Sequence, residues 1–87
     1  MTITILGKRW SLVRGRLSKE VDGYCDPPTQ SGKCITIRKS LRGERELDVL
    51  IHEMTHAAAF HIDEEFVSQF ASDVARALWR LGYRRES

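Results

Sequence analysis

Apolar positions along the chain change period near residue 43, and the two halves predict different structure. Thr2 to Leu6 alternates threonine with isoleucine, and Arg9 to Arg14 alternates loosely, with Gly7-Lys8 between them as a turn signal. A pair of strands is expected there. Leu17 to Tyr24 carries no clear period and stays ambiguous. Asp26-Pro27-Pro28-Thr29-Gln30-Ser31-Gly32 is a loop, because paired prolines and a glycine exclude both a helix and a central strand. Cys34 to Arg38 reads as a strand with Ile35 and Ile37 on one face and Thr36 and Arg38 on the other.

From Gly43 or Glu44 the spacing becomes helical. Leu47, Leu50, Ile51, Met54 and Ala58 fall on one stripe of a helix that runs to about Phe60, with Glu44, Glu46 and Asp48 near its positive end. Asp63 is a good N-cap for a second helix, Glu64 and Glu65 occupy its first turn, and it runs to about Leu81. Phe66, Phe70, Val74, Ala77, Leu78 and Leu81 form its expected buried stripe, and Gly82 is the expected C-cap. The sum is an α+β fold: a small antiparallel sheet of about three strands packed against two helices.

The chain has 87 residues, enough for one domain spanning 1–87 but near the lower limit for a self-sufficient core. A bound metal would therefore add to its stability. The net charge of +2 implies no polyanionic partner, yet the charges are not spread evenly. Acidic groups gather from Glu44 to Glu65, and basic groups dominate Lys8 to Lys19, Lys33 to Arg45 and Arg76 to Arg85. The apolar start is too short for a signal peptide and no run is long enough to span a bilayer, so a cytoplasmic protein with no membrane partner is expected. Cys25 and Cys34 lack the spacing of a redox or structural zinc pair and are expected to be free thiols.

Candidate chemistry lies on the first helix, in His52-Glu53-Met54-Thr55-His56. Two histidines four apart sit about 40° apart on a helix, one turn up, so both can reach one ion. Neutral imidazoles at that spacing suit Zn2+, and the glutamate between them is placed to take a proton from an activated water. Two histidines on an amphipathic helix are usually ordinary surface or core residues. The full pattern, however, arises by chance in a chain of this length at a rate on the order of 0.2%, which favours His52 and His56 as ligands and Glu53 as a general base.

A catalytic zinc site needs a third protein ligand. His61, Asp63, Glu64 and Glu65 all follow the first helix closely enough to supply one. The metzincin continuation H-E-x-x-H-x-x-G-x-x-H fails, because its glycine falls on Ala59 and its last histidine on Ile62. With an acidic helix start close behind it, the motif resembles the gluzincin arrangement, in which a glutamate of the next helix completes the site. The chain is also similar to a group of very short phage- and bacterium-encoded zinc metallopeptidases in three stretches: Gly23 to Pro28, Leu41 to Asp48 and Leu78 to Tyr83. A more distant likeness, resting mainly on the motif, is to minigluzincins and to the peptidase domains of SprT-like and ImmA/IrrE proteins. The resemblance implies His52 and His56 as ligands, Glu53 as the base and Glu65 as the third ligand, with Glu64 and His61 as alternatives.

It further implies a zinc metalloendopeptidase acting on a protein or peptide. Tyr24, Tyr83, Arg42 and Arg45 are the candidate oxyanion donors, and Asp48, one turn before His52, is a candidate to orient its imidazole. An extended substrate is expected to pair with an edge strand such as Cys34 to Arg38. The alternative function is a zincin-like regulatory or binding module that catalyses nothing, including one in which the helix pair serves a larger assembly. Arg76, Arg80, Arg84 and Arg85 would then meet an acidic protein or, with weaker support, nucleic acid.

Overall fold

The computed structural model describes residues 1–18 and 20–85. Four strands and two helices follow in order: β1 (Thr2–Ile5), β2 (Lys8–Gly15), β3 (Gly23–Cys25), β4 (Cys34–Arg38), α1 (Gly43–Ala58) and α2 (Glu64–Arg80). The strands form one sheet in the order β1-β2-β4-β3. The α+β class stands, but the sheet is four-stranded and mixed, not a three-stranded antiparallel one. β1 and β3 pair antiparallel to their neighbours, whereas β2 and β4 run parallel, with Leu12 opposite Ile35 and Arg14 opposite Ile37.

The added strand explains the parallel pair. Parallel neighbours need a connection of about a dozen residues or more, and the segment between β2 and β4 returns along the sheet as β3. That makes β4 an interior strand, so the expectation that Cys34 to Arg38 forms an edge is corrected. The free edges belong to β1 and β3. Arg38 and Asp26 hold β3 in place. The Arg38 guanidinium donates to Asp22 Oδ1 at 3.1 Å and to the carbonyls of Leu17, Ser18 and Val21. Asp26 Oδ2 accepts from the Cys34 amide at 2.8 Å, closing the proline loop.

One face of the sheet carries Trp10, Ile35, Ile37 and Cys25 into a core shared with Leu41, Val49 and Ala57. Helix α2 packs on α1 through Val67, Ala71 and Ala75, all fully buried. This corrects the expected stripe. Phe66 is 53% exposed, Phe70 46% and Leu81 74%, so the large apolar side chains lie on the outer face. Small residues at i, i+4 and i+8 allow close helix approach, and that geometry prevails over side-chain size. The ends of α2 follow expectation: Asp63 Oδ2 accepts from the Phe66 amide at 3.0 Å. Gly82, at φ +92°, places its amide on the Trp79 carbonyl and that of Tyr83 on Leu78, a Schellman closure. Helix α1 ends at Ala58, two residues short of Phe60. Among the described residues, no helix is long and apolar enough to cross a membrane.

Candidate metal centre

His52 and His56 lie one turn apart on α1, their ring centroids separated by 5.0 Å. Each turns Nε2 toward the carboxylate of Glu64, the first residue of α2. The distances are 2.9 Å from His52 to Oε1 and 2.7 Å from His56 to Oε2. These three side chains each offer a ligand atom, all within 4.8 Å of one another. The fit to an ion can be checked from bond lengths. Ligand atoms about 2.0–2.1 Å from a tetrahedral zinc stand roughly 3.3 Å apart, slightly wider than the two contacts seen. Glu64 is well exposed on the cleft side, so its carboxylate can withdraw by that amount. Two imidazoles and one carboxylate so placed could hold a metal ion.

Glu65 is not among these three; it is exposed one helical step from Glu64. The physical reason is the hairpin between the helices. A step of about 100° puts Glu64 in line with Val67 and Ala71, on the face of α2 turned to α1, and swings Glu65 away. His61 is also exposed, its ring edge-on to Phe60 at 5.3 Å.

Glu53 points from α1 to β3 and is the one buried charged residue among those described. Burial is the largest influence on its carboxyl and raises its pKa, the two imidazoles lower it, and Glu64 raises it further. A hollow of about 300 Å³ opens over this group. Its floor is His52, Glu53, His56 and Glu64, and its walls are Phe60 and the β3 residues Gly23, Tyr24 and Cys25. Gly23 is required by proximity, because a methyl group there would stand 2.8 Å from Val49 Cγ1 and 2.9 Å from Glu53 Cγ. Sequence reasoning gave Gly23 no role of its own; its signal was its place at the start of the Gly23 to Pro28 stretch that carries the resemblance.

The remaining candidates are placed as follows. Tyr24 is on the cleft wall. Arg42 donates to the carbonyls of Lys39 and Leu41, and Arg45 donates to Asp22 Oδ2 at 2.5 Å. The hydrogen bond from Arg45, then that from Arg38, holds the Asp22 carboxyl below its ordinary value. Tyr83 lies beyond the C-terminus of α2 and does not line the hollow. Asp48 Oδ2 accepts from Ser72 Oγ at 2.9 Å, a bond that ties α1 to α2 instead of orienting His52. Both cysteines are free. Cys25 is buried beside Glu53, and burial chiefly, with the Glu53 and Asp26 charges, pushes its thiol up to about 12.

Comparison of the chain with known protein families, with characterised proteins and with solved structures gives no match.

Proposed function

We propose that the chain is a minimal zinc-dependent endopeptidase of gluzincin type, with His52, His56 and Glu64 as the metal ligands and Glu53 as the general base. The observation that carries the reading is the convergence of both Nε2 atoms on one carboxylate of the neighbouring helix, directly beside a buried glutamate. A zinc ion held by these three groups would supply Lewis acidity, making a water acidic and the scissile carbonyl electrophilic.

The protein's own groups account for the remaining chemistry. Glu53 accepts the proton of the attacking water as the new C–O bond forms, then delivers it to the amine as the C–N bond breaks. Its partial desolvation favours the protonated state, so the carboxylate is a stronger base than an exposed glutamate and returns the proton to the departing nitrogen. Arg42 and Arg45 are committed elsewhere, and Tyr24, which borders the hollow, alternates along β3 with the inward-facing Gly23 and Cys25, so the carbonyl oxygen is left to the metal and the β3 main chain. The outer edge of β3 runs beside the hollow and offers unpaired main-chain groups to an extended peptide.

Glu53→Gln keeps the shape of the side chain and cannot take up the proton. On a zinc-loaded protein that cleaves an unfolded polypeptide, it is expected to lower the rate by about 10²–10⁴-fold at unchanged zinc affinity. Hydrolysis at the wild-type rate would remove Glu53 as the base. A wild-type protein that binds zinc tightly and cleaves no peptide would leave a metal-stabilised binding module.

A further inference from the structure

We infer that α2 carries a self-association surface through which two copies of this chain pair antiparallel about a two-fold axis, independently of the metal centre. The outer face of α2 has the composition of an interface and no partner within the described chain. At about 100° per residue, Phe66, Phe70, Asp73, Ala77 and Leu81 fall within about 80° of one another. The 4-3-4 spacing from Phe66 to Ala77 is that of a helix-pairing seam, and Leu81 at the C-cap extends the same face. Phe66 and Phe70 stack with centroids 5.7 Å apart and rings nearly parallel, a flat apolar plate held open to solvent.

Size and charge along this face choose the occupant. The large side chains, Phe66 and Phe70, stand at its N-terminal end, with the small Ala77 and the protruding Leu81 at its C-terminal end. An antiparallel pair centred between Asp73 and Val74 sets Phe70 of one copy over Ala77 of the other and Phe66 over Leu81, so bulk meets space on both sides of the axis. The flank bearing Glu65, Gln69, Arg76 and Arg80 is acidic or neutral at one end and basic at the other. In an antiparallel pair this flank faces its own copy, bringing Glu65 opposite Arg80, while Asp73 beside the axis accepts from Gln69 and Arg76 of its own chain, which offset its charge against the second copy. A parallel pair sets like ends together and loses the Glu65–Arg80 match. Glu64 lies on the opposite side of α2, turned to α1, so pairing leaves the metal-binding hollow open.

Sedimentation equilibrium of the full chain from micromolar to millimolar concentration tests this. The wild-type protein is expected to show a monomer–dimer equilibrium, and Phe70→Glu is expected to be monomeric throughout, with its helical circular dichroism preserved. Arg80→Glu and Glu65→Arg should each weaken the dimer by about 2- to 30-fold, as two exposed ion pairs would, and the double variant should recover most of the loss. A wild-type monomer at millimolar concentration overturns the inference. So does a dimer that survives Phe70→Glu, or charge variants whose combination gives no recovery.

Discussion

Burial pushes the Glu53 carboxyl toward its neutral form, and that has a consequence for stability as well as for catalysis. Its folded pKa lies above its unfolded value. The stabilisation it brings is therefore complete below about pH 4.5 and is lost as pH rises through the folded pKa. Glu53→Gln cannot ionise. In chelator, that variant is expected to melt higher than wild type at about pH 7 and level with it near pH 4; a wild-type protein more stable at pH 7 would contradict the burial argument. The neighbouring thiol behaves similarly. With Cys25 pushed up to about 12, its contribution is complete below the ordinary thiol value near 9 and fades as pH climbs toward 12. Because thiolate is the reactive form, iodoacetamide at about pH 8 should label partly exposed Cys34 and spare Cys25 until the protein unfolds. Mass mapping of the labelled cysteine reads the result, and early labelling of Cys25 would show that β3 does not bury it.

Among the elements, β3 depends most on a single residue. A methyl at Gly23 meets Val49 and Glu53 at less than van der Waals distance. Gly23→Ala is thus expected to cost about 1–3 kcal/mol, read by urea denaturation, and to displace Glu53; an unchanged midpoint would mean that β3 moves freely. This strand was also the element least legible in the sequence, since three residues are too few to show an alternation. Helix α1 was legible in its extent, from its period and the complete His-Glu-x-x-His motif, but its buried line is Val49, Glu53 and Ala57, whereas Leu47, Leu50, Ile51 and Met54 of the expected stripe are half-buried and Ala58 is exposed. Helix α2 was legible in its ends and misread in its face. It carries two apolar stripes, Phe66-Phe70 and Val67-Ala71-Ala75, and weighting by size selects the wrong one. The same face decides which glutamate meets the two histidines. Glu64 stands three residues before Val67 and seven before Ala71, on the α1-facing side, but that relation becomes visible only once the small residues are known to be the buried ones.

At the scale of the whole molecule, the site joins the three parts that a chain of 87 residues can offer. Helix α1 supplies two imidazoles and the buried carboxyl, α2 supplies the bridging glutamate at its first residue, and the edge of the sheet supplies the wall. The helices are linked through a brief turn at 59–63 and by the Ser72–Asp48 bond. An ion between His52, His56 and Glu64 would clip them a second time, near the turn. Zinc affinity, measured by competition with a chromophoric chelator for wild type, Glu64→Gln and Glu65→Gln, tests this most directly. The account predicts one tightly bound zinc per wild-type chain, the same affinity in Glu65→Gln, and a loss of at least about 100-fold in Glu64→Gln, as befits removal of a direct ligand. Zinc held as tightly by Glu64→Gln as by wild type would contradict it.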